Sequence, residues 1–146
     1  MLEIGTKGRY AARLLVYLAL NSDKGIINRS ELATAEDISK DYVEQIMLKL
    51  KAEGFVRSHR GARGGYSLGC DPAEVSVLDI LAAMEGNFSF APCLEDDCRR
   101  CMRCVTRPVW KDAVEAFTSV LKTATIAKLA SRAEEAIMKE GRSYTI

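Results

Sequence analysis

Along residues 6–21 apolar side chains are dense, Tyr10, Leu14, Val16 and Leu18 among them, and the segment reads as a helix with much of its surface buried. Ser22, Asp23, Lys24 and Gly25 end it, the glycine suiting a left-handed turn. Asn28 is placed to cap a second helix running to about Glu36, with Glu31 at the third helical position, where a carboxylate completes the cap. A tight turn at Asp37 and Ile38 leads to Ser39, the expected cap of a third helix over 40–53 that Gly54 closes. In this third helix Val43, Ile46, Met47 and Leu50 recur at i, i+3, i+4 and i+7, one apolar stripe facing a core. Asp41, Glu44, Gln45 and Lys49 lie off the stripe and are expected to face outward.

Beyond Gly54 the pattern shortens to two strands, 55–58 and 66–68, around the glycine-rich turn Arg60, Gly61, Ala62, Arg63, Gly64, Gly65. Ser76 with Asp79 three residues on predicts a capped fourth helix over 77–85, stopped by Gly86. Residues 87–104 show neither periodicity. From Val105 a long helix carries Val109, Ala113, Phe117, Val120, Leu121 and Ala124 as a stripe bordered by Trp110 and Val114, and Thr125 caps a last helix over 126–140. Two helices about a tight turn, the second polar on its outer face, followed by a basic hairpin, make a winged helix-turn-helix in a mainly α fold.

Composition changes this picture little: 146 residues, 48% hydrophobic and 28% charged, are enough for a packed core. No stretch is long enough to span a membrane, and charges and glycines interrupt residues 1–13 where a signal peptide would be continuous, so a cytoplasmic location is expected. The net charge of +1 is uninformative, but its distribution is not. Residues 1–69 hold eleven basic against eight acidic side chains, and residues 70–146 ten against twelve. The hairpin segment 54–66 holds Arg57, His59, Arg60 and Arg63 and no acid, a local patch suited to a nucleic-acid groove.

Double-stranded DNA is therefore the expected partner. The third helix, from Ser39, Lys40, Asp41 and Tyr42 through Glu44, Gln45 and Lys49, would enter the major groove, Gln45 pairing with adenine and Glu44 accepting from a cytosine amino group. Glu44 would also repel phosphate on a wrongly paired sequence and so reject sites. Arg57, His59, Arg60 and Arg63 on the wing would meet phosphates or the minor groove. No nucleophile–base arrangement, nucleotide loop or paired catalytic carboxylates is found, so an enzyme is not expected.

Four of the five cysteines, Cys93, Cys98, Cys101 and Cys104, fall within twelve positions. In a cytoplasmic chain with its own core such a run points to metal or cluster ligation rather than disulfides. Several thiolates converging on one centre are what an iron–sulfur cluster needs, and the first three have the C-x₄-C-x₂-C spacing of plant-type ferredoxins. A structural zinc ion and a thiol–disulfide switch remain as alternatives, as does a small electron carrier. Arg99, Arg100 and Arg103 would offset the thiolate charge, whereas Glu95, Asp96 and Asp97 read as a solvated run. Cys70, isolated, reads as a small buried residue.

The opening Thr6, Lys7, Gly8, Arg9, Tyr10, Ala11 is similar to that of the IscR/NsrR/CymR family of bacterial winged-helix regulators. So are Ile38-Ser39, then Tyr42 to Ile46, then Arg60 to Leu68, and the resemblance runs through the cysteine loop into Val105-Thr106-Arg107-Pro108-Val109-Trp110. It implies a homodimer whose long C-terminal helices pack together, on a roughly two-fold operator with half-sites about one helical turn apart. It also implies a cluster, 2Fe–2S or 4Fe–4S, in the preceding loop, with Cys93, Cys98 and Cys104 as ligands. The domains then run 1–86 (DNA binding), 87–104 (cluster loop) and 105–146 (dimerisation and C-terminal helices). Three positions depart from the family pattern: Arg107 stands where the IscR-like branch often has a ligating histidine, Arg9 where the NsrR-like branch can use an acid, and Cys101 is additional. Cys101 is expected to replace the missing ligand. Asp37, where relatives usually have glycine, is tolerable because Asp visits the left-handed region.

Overall fold

A computed structural model describes residues 3–86, 91–95 and 98–140. Its first helix, α1 (Thr6–Leu20), is the axis of the molecule: Ala11, Leu14, Leu15, Val16 and Leu18 are all buried, and α2, α3, α4, α7 and the hairpin pack around them. α1 stops one residue short of the expected end, because Asn21 caps it and turns its side-chain amide to the Tyr17 carbonyl at 2.9 Å. A 3₁₀ turn (Ser22–Lys24) leads to α2 (Arg29–Glu36), where Asn28 accepts from the Glu31 amide. Asp37 then adopts φ 52° and ψ 49°, the left-handed turn expected of it, and α3 (Lys40–Ala52) follows with Ser39 accepting from the Tyr42 amide. The buried residues of α3 are Val43, Ile46, Met47 and Leu50, the stripe predicted from spacing.

The wing is β1 (Val56–His59) antiparallel to β2 (Gly65–Leu68), in the register Val56↔Leu68 to His59↔Gly65. Both strands reach one residue nearer the turn than the apolar pattern indicated, because backbone pairing continues through the polar His59 and through Gly65. Gly61, at φ 108°, turns the tip in a conformation that side chains rarely adopt. Tyr66 exchanges backbone hydrogen bonds of 2.9 and 2.8 Å with Ile27, stitching the wing to the approach of α2. Only glycine fits beside this bridge, since a Cβ on Gly65 would collide with the Ile27 carbonyl.

α4 (Val77–Glu85) opens on a full capping box, with Ser76 and Asp79 each accepting the other's backbone N–H. Ser76→Ala is expected to cost about 1 kcal/mol of folding stability, read as a lower urea midpoint at unchanged slope. Among the described residues the 87–104 segment, which shows no helical periodicity, contains a single turn of helix, α5 (Pro92–Glu95); residues 87–90 and Asp96–Asp97 lie outside the described residues. α6 (Arg107–Thr123) starts two residues later than expected, with Pro108 in its first turn, where the missing N–H leaves nothing unsatisfied.

α7 (Ile126–Glu140) returns to the first helix. Thr125 caps it, accepting from the Lys128 amide at 3.3 Å. Backbone hydrogen bonds of 2.9 Å from Val77 to Ala124 and from Ile126 to Val75 tie its start to the start of α4, and Ile126 enters the same core as α1–α4. α6 lies against α4 without burying a residue, and α7 comes back to α1. No helix among the described residues is long and apolar enough to cross a membrane.

Candidate nucleic-acid interface and cysteine loop

The outward face of α3 is set by the helical repeat. With the buried stripe on one side, Asp41, Gln45, Leu48 and Ala52 recur at i, i+4, i+7 and i+11 on the other, and all four are exposed. Lys40 is exposed on the first turn. Tyr42 is instead half-buried, its ring meeting Tyr10 edge-on at 5.9 Å. Lys49 reaches α4, where its ammonium donates to the Met84 carbonyl at 2.9 Å.

Glu44 forms an ion pair with Arg29, the first residue of α2, and both remain exposed. Tyr66 lies beside this pair. Burial pushes its hydroxyl pKa up, Glu44 adds to the shift and Arg29 opposes it. Sequence reasoning did not find Arg29, which is fifteen residues from Glu44 and shares no local period with it. It also passed over Leu48, although an apolar residue at a polar-face position was visible in the spacing.

On the wing Arg57, Arg60 and Arg63 are exposed, while His59 shares a 2.8 Å hydrogen bond with Ser67 across the hairpin. Between the wing tip and the start of α2 runs an open cleft of about 630 Å³ with Arg63 on one wall and Arg29 on the other. The start of α2 thus touches both neighbours, α3 through the Arg29–Glu44 pair and the wing tip through the cleft that Arg29 shares with Arg63.

The cysteine loop is a separate feature. Cys93 lies on α5, Cys98 and Cys101 bracket a turn closed by a 2.9 Å backbone bond, and Cys104 precedes α6. All four are unbridged and half-buried. The Arg107 guanidinium donates to the Cys93 carbonyl, clasping the start of the loop to the first turn of α6. The Thr106 hydroxyl lies 3.3 Å from the Cys104 sulfur, and this hydrogen bond holds the thiol below its ordinary pKa. Arg99, Arg100 and Arg103 line a cleft of about 650 Å³ beside it. Among the described residues no three His, Cys, Asp or Glu side chains are gathered closely enough to hold a metal ion, so the cysteines form a donor set on one loop and not a preassembled centre. Cys70 behaves oppositely to Cys104. It sits against the Phe55 carbonyl at 3.6 Å, and burial, then Asp71 and Glu74, raise its pKa.

α6 carries no buried residue. It lies against α4 with Val114, Phe117 and Leu121 half-buried, while Val109, Trp110 and Val120 are 58%, 46% and 66% exposed. The stripe read from the sequence is thus divided between the chain's own fold and open surface.

Comparison with known proteins places these features in a common setting. Residues 4–132 match the Rrf2 family, described as an iron-dependent transcriptional regulator. The transcriptional regulator IscR of Vibrio vulnificus YJ016 is 33% identical over 89% of this chain and 78% of its own length. IscR of Escherichia coli O1:K1 is 30% identical over 99% and 89%. Among solved structures, CymR of B. subtilis, a global cysteine regulator, superposes with a TM-score of 0.73 at 36% identity, covering 90% of this chain and 98% of that one. IscR of T. potens superposes with a TM-score of 0.74 at 32% identity, covering 92% and 90%.

Proposed function

The chain belongs to the Rrf2 family of winged-helix transcriptional regulators, which are not enzymes, and on that premise we propose that it binds its operator as a homodimer and senses through an iron–sulfur cluster held by the 93–104 loop. The observation that carries the cluster reading is the donor set: four unbridged thiols on one short loop, one of them drawn toward the thiolate by Thr106, with arginines beside it to balance anionic charge. Cys93, Cys98, Cys101 and Cys104 would hold the cluster. Cys101 takes the place a histidine would have filled, since Arg107 is committed to the Cys93 carbonyl. Bound there, the cluster would supply chemistry sensitive to redox state, iron supply or nitric oxide.

The chain's own part is mechanical. Arg107 ties the loop to the first turn of α6, and α6 lies on α4, which receives Lys49 from the recognition helix. Reordering the loop would therefore change where α6 sits and how the two reading heads of the dimer are spaced. Ser39, Lys40, Asp41, Tyr42, Glu44, Gln45 and Lys49 of the helix-turn-helix, with Arg57, His59, Arg60 and Arg63 of the wing, make up the proposed DNA surface, and Arg29 joins them.

Protein purified without oxygen is expected to be brown and to contain iron and acid-labile sulfide, with DNA affinity or sequence preference that changes when the cluster is removed. Colourless protein with stoichiometric zinc would overturn the sensor and leave the DNA reading standing. Cys101→Ala is expected to lose iron and sulfide; full occupancy with an unchanged spectrum would remove Cys101 from the ligand set.

The ion pair at the helix-turn-helix gives a second test. Exposed as it is, it adds little to folding stability. In the groove, however, an uncompensated Glu44 would face phosphate. Arg29→Ala is expected to weaken operator binding about tenfold, and adding Glu44→Ala to recover part of the loss, a coupling of about 1 kcal/mol in a double-mutant cycle.

A further inference from the structure

We infer that Leu48 is a base-reading residue that recognises the C5-methyl group of a thymine in the operator, an inference that rests on α3 being the reading helix. Leu48 is 70% exposed, and among the described residues of α3 it is the one large apolar residue left outside the core. It stands three residues after Gln45 and seven after Asp41, on the face opposite the buried stripe.

Among the described residues no core contact or hydrogen bond is recorded for this side chain. Leu48 belongs to neither the core nor its half-buried rim, whereas its neighbours Met47 and Lys49 are engaged, one in the core and the other on the Met84 carbonyl. The charge nearby also points to DNA: Arg29 on α2 pairs with Glu44 of α3 and shares an open cleft with Arg63 of the wing, which also carries the exposed Arg57 and Arg60. On the major-groove floor the base edges offer hydrogen-bonding groups and a single apolar feature, the thymine methyl. A leucine there cannot satisfy a donor or an acceptor and would leave it unpaired, so it favours the base pair that presents a methyl and disfavours the others. Gln45 and Leu48 would then read neighbouring base pairs by different chemistry.

Substitution at this position is clean. Leucine and alanine are both strong helix formers and the side chain is outside the core, so Leu48→Ala is expected to fold with wild-type stability. The experiment begins with duplexes selected by the wild-type protein from a random-sequence pool, in which each thymine is replaced in turn by deoxyuridine, deleting the methyl and nothing else. The expected result is one thymine per half-site whose replacement weakens wild-type binding about fourfold, or about fifteenfold with both half-sites changed, from the worth of one buried methyl. Leu48→Ala should bind the thymine and uracil duplexes equally, and Leu48→Met, with an apolar tip, should keep most of the discrimination. Uracil substitution that costs both proteins the same at every position, or costs neither anything, overturns the assignment. If the wild type selects no sequence from the pool, the DNA reading of α3 fails as well, a result distinct from selection that ignores the methyl.

Discussion

Val120→Asp is expected to give a folded but monomeric chain whose affinity for the full operator falls roughly 10²–10⁴-fold. Val120 is 66% exposed and makes no part of the core, and aspartate and valine have similar helix propensities, so the fold should survive. In a two-fold interface the same patch meets itself, and each substitution places two carboxylates in a surface that association would dry. Neither charge would have a partner. The half-sites would then be bound by separate molecules and the gain from linkage lost. Sedimentation should show the monomer, and titration of half-site and full-site duplexes should show that the loss falls on the full site. A dimeric variant with unchanged affinity would put the interface elsewhere.

Arg13→Met is expected to cost about 3 kcal/mol of folding stability near neutral pH. Arg13 on α1 places its guanidinium 2.6 Å from the Glu36 carboxylate on α2 and stacks over the Tyr10 ring at 5.1 Å. The Glu36 side chain is fully buried and the Arg13 side chain 36% exposed, so the low end of the range for breaking a buried pair applies. Burial raises the Glu36 pKa, and the Coulombic pull and hydrogen bond of Arg13 oppose the rise without cancelling it.

A carboxyl whose folded pKa exceeds its unfolded one favours the folded state most when protonated. That contribution is complete below the ordinary carboxylate range and is lost as pH rises through the raised folded value. Without Arg13 the folded value rises further. The variant should therefore approach wild-type stability as pH falls through the Glu36 titration and diverge from it toward neutrality. Urea unfolding of both proteins across that range measures this, and Arg13→Met/Glu36→Leu should recover most of the neutral-pH loss. A penalty independent of pH would mean that Arg13 acts through packing alone.

These two sites were not equally visible in the chain. The α6 stripe was legible because an amphipathic helix repeats its apolar positions locally, but the division of that stripe between α4 and open surface depends on where α4 lies. The Arg13–Glu36 pair left no local trace: Arg13 sits amid the apolar run of α1, and Glu36 at the end of a polar helix reads as solvated. Lys49 was placed correctly on the outer side of α3 by period, yet its length allows it to reach the Met84 carbonyl.

What the amino-acid order determined by itself was the set of longer elements, with their ends to within one or two residues, whereas the short α5 appeared only in the structure. Helical and strand periods, the caps at Asn28, Ser39, Ser76 and Thr125, the left-handed Asp37 and the glycines of the wing all act within a few residues, and the winged helix-turn-helix follows from them. The run of four cysteines was equally plain. Only the tertiary structure decided that α7 returns to α1, that Ile126 shares the core of α1–α4, that Arg29 meets Glu44 and that Arg107 clasps Cys93. Each joins residues far apart in the chain. Such contacts are chosen by the burial and charge pairing of the whole packed fold, which no local period records.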